Sequence, residues 1–424
     1  MELNKSNILN KYLKQSGSFL TRIVVSVISL LLSVIIVRVY DKNAVSSFFL
    51  FVSYTTFLTQ VLLFGMTPAL NILAANKIRM LDIYREIAKK LCISIPITII
   101  TLFIFIKTFN IENVYLLFFA TIVNGIINIL TELMKGNGAY ISSQLYNGGV
   151  STVLFIGLIV LNNFVPFGAN VVELYVLSLV LSLGMNYYEW SLKYNKVTMI
   201  RICNKNRILF KNILPIYLST VIVYLFSQMD LWVISKSFEA ETIAQYGLAI
   251  RLAALLSFST LSVRAIAASR IPLLINNKML LQREIHNSCN FSFIVSTMTL
   301  LSLLTLGYWL IGIVFGVSYQ FSWYILVVFS VGQIVNAATG PCDFLLSHTG
   351  HGISLMWITF ISFSMLVLMF VVVKFFQADN VFLYCSSVSV VIAVQNLGVM
   401  YIAYKKTGIL SLPSFKKECT SVER

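Results

Sequence analysis

Apolar runs of about twenty residues recur along nearly the whole chain, and few charged side chains interrupt them. An α-helix of that length crosses the roughly 30 Å hydrocarbon core of a bilayer. No water reaches a backbone N–H or C=O at that depth, so only helices and closed barrels can span it. These runs are too long and too continuously apolar for barrel strands. Charged residues make up 11% of the chain, against about 25% in a soluble domain, too few to cover a water-facing surface. The expected fold class is an all-α integral membrane protein.

The spans read as 18–39, 44–66, 91–107, 113–134, 146–162, 171–191, 213–235, 243–267, 291–315, 321–345, 353–375 and 381–403, about twelve transmembrane helices. After the second run, Gly65-Met66-Thr67-Pro68 marks a kink, with helix expected to resume as far as Ala75. Residues 1–17 are polar, and the run after them is too long for a cleavable signal, so it is expected to remain as the first span. With the N-terminus inside, the cytoplasmic segments hold 24 of the 31 Lys and Arg residues. Only Arg38, Lys42, Lys107, Lys236 and Lys374 fall outside, and Arg22 and Arg251 fall within spans. This loop-by-loop alternation follows the positive-inside rule, and one missed helix would invert it. A bacterial inner-membrane location with both termini in the cytoplasm is therefore expected. The net charge of +15 is inner-leaflet bias toward anionic lipid and calls for no nucleic-acid partner.

The longest polar stretch, 193–212, is a basic cytoplasmic linker. It separates an N-terminal six-helix lobe (1–192) from a C-terminal one (213–404), followed by a tail (405–424). Six spans each give the lobes one orientation, which permits a parallel pseudo-repeat. Ala44-Val45-Ser46-Ser47-Phe48 and Thr242-Ile243-Ala244-Gln245-Tyr246 open equivalent helices. The fourth span carries Asn124, Asn128 and Glu132, and the tenth carries Gln333, Asn336 and Asp343, at spacings that share a helix face.

Chemistry is conspicuous by its absence. There is no Walker A sequence, no nucleophile or acid–base constellation, and no long outer loop to carry one. The six cysteines show no paired spacing and read as packing residues, and His348 and His351 read as a helix end beside Gly350 and Gly352. Transport is favoured over catalysis, and no cofactor or metal is expected.

Two stretches carry a family resemblance: Gln228-Met229-Asp230-Leu231-Trp232-Val233-Ile234-Ser235-Lys236 and Thr242 through Leu252. They are similar to the seventh-to-eighth helix passage of Wzx-type O-antigen and polysaccharide flippases. Twelve spans in two lobes with a basic central linker resemble the multidrug/oligosaccharidyl-lipid/polysaccharide (MOP) exporter superfamily to which those flippases belong. The resemblance implies a lipid-linked oligosaccharide substrate carried on undecaprenyl pyrophosphate, membrane lipids as surroundings, and a polysaccharide polymerase complex as a candidate partner. It implies alternating access by rocking of the lobes, in the service of lipopolysaccharide or capsule synthesis.

A charged side chain at the bilayer centre costs about 2.5–3.5 kcal/mol on insertion scales, so it faces protein or water. Arg251, roughly 12 Å into the eighth span, is the deepest basic residue and a candidate for the pyrophosphate or acidic sugars. An ion pair with Asp230 is the alternative. Arg22 is nearer the inner surface, where snorkelling alone can satisfy it, and Glu132 is its candidate partner. Asn128, Gln333 and Asn336 are candidate substrate contacts, or amides that join neighbouring helices. Asp230 and Glu132 are candidates for coupling or for structural ion pairs. Pro341 after Gly340 is the best hinge candidate. Rival readings are a multidrug exporter of the same superfamily, disfavoured by the lack of mid-span carboxylates in the first lobe, and a membrane polymerase or glycosyltransferase, disfavoured by the short outer loops. A non-catalytic scaffold leaves the buried charges without a purpose.

The charge pattern makes a direct prediction. Reporter fusions in the 193–212 linker and at Lys416 read out cytoplasm, and fusions at Asn163 and Asp379 read out periplasm; a periplasmic linker overturns the two-lobe topology.

Overall fold

The computed structural model describes residues 2–75, 77–78, 80–109, 111, 113–165, 168–193, 213–256, 260, 263, 267, 270–271, 274, 277–376 and 380–414. The linker beyond Lys193, Arg264 and the tail from 415 lie outside the described residues. The elements are helices: α1 (Glu2–Val39), α2 (Lys42–Leu63), α3 (Met66–Ala75), α4 (Met80–Phe109), α5 (Val114–Gly136), α6 (Tyr140–Gln144), α7 (Val150–Phe164) and α8 (Val171–Lys193). They continue as α9 (Ile213–Ser237), α10 (Ala240–Leu256), α11 (Lys278–Phe315), α12 (Phe321–Thr339), α13 (Cys342–His348), α14 (Gly352–Phe375) and α15 (Val381–Thr407). Among the described residues, ten helical stretches are long and apolar enough to cross a membrane. Large apolar side chains such as Phe103, Leu301, Ile313 and Phe375 stand exposed along them. That is the arrangement lipid demands, because hydrocarbon tails are as apolar as the side chains that face them. The chain is a multi-pass membrane protein.

Three predicted spans are interrupted. The second breaks at Phe64–Gly65, both with positive φ, and α3 then runs to Ala75 as expected. The tenth, read as continuous over 321–345, divides at Gly340–Pro341 into α12 and α13. Gly340 adopts φ 61°, ψ −144°, a conformation closed to residues with a Cβ. The fifth begins earlier than 146, at Tyr140, and is broken at Asn147–Gly148. His348 closes α13 and His351 precedes α14.

By packing, the chain forms two compact units, Met1–Ala244 and Gln245–Arg424. In the first, α5 lies centrally against α2, α3 and α8. The approach to α3 is close: a Cβ on Gly136 would collide with the Asn71 carbonyl oxygen and come within 2.6 Å of the Ala74 Cβ. Leu70, Leu73, Ile83, Leu133 and Trp190 fill the core around this contact. The helix α9, which the sequence groups with the C-terminal lobe, packs on α2. Trp232 explains why. Its Nε1 donates to Ser53 Oγ at 2.8 Å, and Ser53 Oγ donates to Gln228 Oε1 at 2.6 Å. Its ring stacks on Tyr54 and meets Phe57, Phe105 and Phe109 edge-on.

In the second unit, α12 packs on α11 and α15. Gly332 brings α12 against α15, its N–H donating to Ser389 Oγ at 2.8 Å. Beyond α15 the chain turns at Gly408 (φ 67°) and runs back along the start of α11. Gln282 exchanges two hydrogen bonds with the Leu410 backbone, His286 Nδ1 meets the Leu412 carbonyl, and Asn290 exchanges two with Ser414. At 38 residues α11 is about 57 Å long, so it outruns the bilayer and leaves a polar end for this strap.

The Trp232 box separates packing from hydrogen bonding. Trp232→Ala is expected to cost about 3–5 kcal/mol, whereas Ser53→Ala costs about 1 kcal/mol. Thermal unfolding in detergent checks this, and equal losses would show that the indole hydrogen bond, not the ring, holds α9.

Candidate functional site

The fifth span carries the local sequence Tyr146-Asn147-Gly148-Gly149-Val150-Ser151-Thr152. A helix continues through an apolar run unless the residues supply another way to satisfy its backbone. These residues do. Gly148 takes φ 103°, ψ −28°, and Asn147 takes ψ 62°, so the ladder opens at Leu145–Gly149. The Gly148 carbonyl then accepts from Ser151 Oγ at 3.0 Å and Thr152 Oγ1 at 2.6 Å. Gly149 leaves room for α1, since a Cβ there would sit 2.8 Å from Val25 Cγ2. Short π-type turns of this kind mark functional positions in many helices.

The break opens onto a cavity of about 230 Å³. Asn147, Gly148 and Ser151 form one side, with Tyr146. Asn124, Ile127 and Asn128 from α5 and Thr56 and Gln60 from α2 form another. Tyr175 and Leu179 of α8 and Tyr224 of α9 complete it. Among the described residues, the lining contains no Asp, Glu, Lys, Arg or His. Part of it is already matched: Asn124 Nδ2 donates to Thr59 Oγ1 at 3.2 Å, and Asn128 Nδ2 donates to the Asn124 carbonyl at 2.8 Å. Among the described residues, the amides of Gln60 and Asn147 and the Tyr224 hydroxyl have no hydrogen-bond partner.

The sequence-derived candidates distribute unevenly around this cavity. Asn128 lines it. Arg22 does not; its Nε donates to Gln144 Oε1 at 3.1 Å, just before the break. Glu132, expected to pair with Arg22, instead pairs with Lys135 at 3.3 Å, one turn along its own helix. The reason is reach: a partner at i+3 on the same helix costs less ordering than one on another element. Asp230 is 4% exposed, and its Oδ1 accepts from the Leu231 N–H at 2.8 Å. It belongs to the first unit and Arg251 to the second. Also in the second unit, Asn336 Nδ2 donates to Gln333 Oε1 at 3.3 Å, so these two share a face as their spacing requires.

Sequence reasoning missed Gln60, Asn147, Tyr224 and Glu189. Glu189 accepts from Ser142 and Lys193, both at 2.8 Å, and so anchors α6 at the end of the broken span. The Asn-Gly-Gly triplet was the available signal, since Asn-Gly and Gly-Gly are turn dipeptides even inside an apolar run.

The described architecture matches solved transporters over nearly its whole length. An inward-facing multidrug resistance MATE family transporter of the MOP superfamily aligns over 92% of this chain and 98% of its own, at 14% identity and TM-score 0.67. A MOP superfamily transporter from Pyrococcus furiosus aligns over 93% and 95%, at 15% identity and TM-score 0.67. The lipid II flippase MurJ, in an inward closed conformation, aligns over 92% and 87%, at 13% identity and TM-score 0.70. This chain has the MOP-transporter fold. No protein-family model matches the sequence, and no curated protein does. At such identities the likeness is one of architecture, and the cavity must speak for the ligand.

The break separates backbone strain from crowding. A side chain on Gly148 meets open space, so Gly148→Ala and Gly148→Leu are expected to cost the same, about 1–3 kcal/mol of strain from the positive φ. At Gly149, Leu is expected to cost far more than Ala, because Val25 stands in the way. Thermal unfolding of the four variants checks this; no loss, or a gain, on Gly148→Ala would mean that the position is helical.

Proposed function

We propose that this protein is a flippase that moves undecaprenyl-pyrophosphate-linked oligosaccharide repeat units, of the O-antigen or capsule type, from the cytoplasmic to the periplasmic leaflet of a bacterial inner membrane by alternating access. The observation that carries this reading is the lining of the first unit's cavity, which among the described residues offers amides, hydroxyls and phenols and no carboxylate. An ionised acid is the strongest offset for the desolvation of an organic cation, and none of the described lining residues is one. A sugar needs the opposite: uncharged groups that both donate and accept. The MOP-transporter fold supplies the scaffold, and one protein sharing it is a lipid II flippase.

Division of labour follows from chemistry. The pyrophosphate needs cationic donors, and Arg251, half-buried in α10, is the residue assigned to it. Asp230 is the candidate coupling carboxylate, because it is buried in a span. The protein acts as a carrier and not as an enzyme, and any polymerase complex would be its downstream partner. A multidrug exporter is the second reading, favoured by the same architecture in MATE transporters.

The test is a chromosomal deletion complemented with variants. Loss of the protein is expected to strand lipid-linked repeat units on the inner leaflet while their synthesis continues and surface polysaccharide falls. Arg251→Ala should fail to restore the surface polymer at normal protein abundance, and Arg251→Lys should restore part of it, since the charge survives without the forked geometry. Full-length polymer at the surface of the deletion strain, with no other flippase present, overturns the assignment. Restored drug tolerance with no effect on polysaccharide would favour the exporter.

A further inference from the structure

We infer that the cavity at the broken fifth span is a subsite for one uncharged sugar ring of the transported headgroup, read by Gln60, Asn128, Asn147 and Tyr224. The inference rests on the flippase reading and adds to it which part of the substrate the first unit holds.

Three independent features converge on this space. The first is the break. It takes Asn147 and Gly148 out of helical geometry, and both line the cavity. The second is unspent hydrogen-bonding capacity. Gln60 and Asn147 each present an amide, and Tyr224 a hydroxyl, with no partner among the described residues. Asn128 commits its Nδ2 to the Asn124 carbonyl, which leaves Oδ1 as an acceptor toward the cavity. Asn147 is exposed and Gln60 and Tyr224 are half-buried, so these groups stand open to a ligand or to water. The third is size and surface. About 230 Å³ lies below the range of a drug-sized site, roughly 300–1,000 Å³, and suits a single ring. Tyr146 and Tyr175 add apolar ring surface against which the C–H face of a pyranose can rest.

The same lining excludes charge. A uronic acid carboxylate, or the pyrophosphate itself, would enter with no cation to offset its desolvation. The subsite therefore selects neutral hexoses or N-acetylhexosamines over acidic sugars and leaves the anionic carrier to other residues.

The purified protein in nanodiscs allows a direct test. The probes are undecaprenyl pyrophosphate alone and the same lipid bearing glucose, galactose, N-acetylglucosamine or glucuronate. The wild type is expected to bind at least one neutral glycolipid about tenfold tighter than the bare carrier, and to bind glucose-lipid about tenfold tighter than glucuronate-lipid. Gln60→Leu and Asn128→Leu should each lose most of that sugar-dependent gain and leave affinity for the bare carrier unchanged. Gln60 has no hydrogen bond to lose among the described residues, so Gln60→Leu reports on ligand contact even if Asn128→Leu unfolds. Variants that keep the wild-type sugar preference overturn the subsite while leaving the flippase standing. A wild type that binds the bare carrier but prefers no neutral sugar also overturns it. A wild type that binds none of these lipids removes the flippase reading and the subsite with it.

Discussion

Hydrocarbon offers a backbone no hydrogen bonds, and the structure is organised around that deficit. Long helices satisfy it by default, which is why regular structure here is helical. An interruption of a helix reopens the deficit, and at two of the three breaks hydroxyls meet a carbonyl beside it. At the fifth span the freed Gly148 carbonyl accepts from Ser151 and Thr152. At the end of α12, before Gly340–Pro341, the Thr339 carbonyl accepts from Ser411 of the C-terminal strap. One repair is local and the other comes from a segment distant in sequence, yet the chemistry is the same.

Side chains obey the same rule with more freedom. Three of the described ion pairs sit at helix ends: Lys42 with Glu241, Glu132 with Lys135, and Glu189 with Lys193. There water and headgroups share the desolvation cost, so such pairs add little to stability but place charge where the bilayer tolerates it. Asp230 is buried in the first unit, but at the cavity the described residues carry polarity with neutral groups. Some bond each other, as Asn124 does with Thr59. Others, such as Gln60 and Asn147, turn into the cavity.

Much of the fold was legible in the sequence because membrane insertion reads composition locally. Run lengths located the spans, and the break after the second span was visible as Gly65-Met66-Thr67-Pro68. Of the candidate site, Asn128 was legible from its spacing with Asn124, since a face shared at i and i+4 is a local property. Gln60 and Tyr224 were not. Each is a lone polar residue in an apolar helix, and nothing in its own neighbourhood says whether it faces lipid, another helix or a cavity. Glu132 shows the converse failure: depth alone suggested Arg22, while the nearer Lys135 took it.

The sequence by itself determined the class of the protein, its many spans, the helical character of each and the break after the second. These depend on the free energy of single segments in hydrocarbon and on backbone sterics, both written in a few adjacent residues. Tertiary structure alone decided that α9 packs on α2 through Trp232, that Arg22 meets Gln144, and that residues from α2, α5, α8 and α9 enclose one uncharged cavity at the broken span. Those outcomes depend on which helix faces meet. Within lipid every apolar face is equally welcome, so only close packing and the matching of scarce polar groups can choose between them.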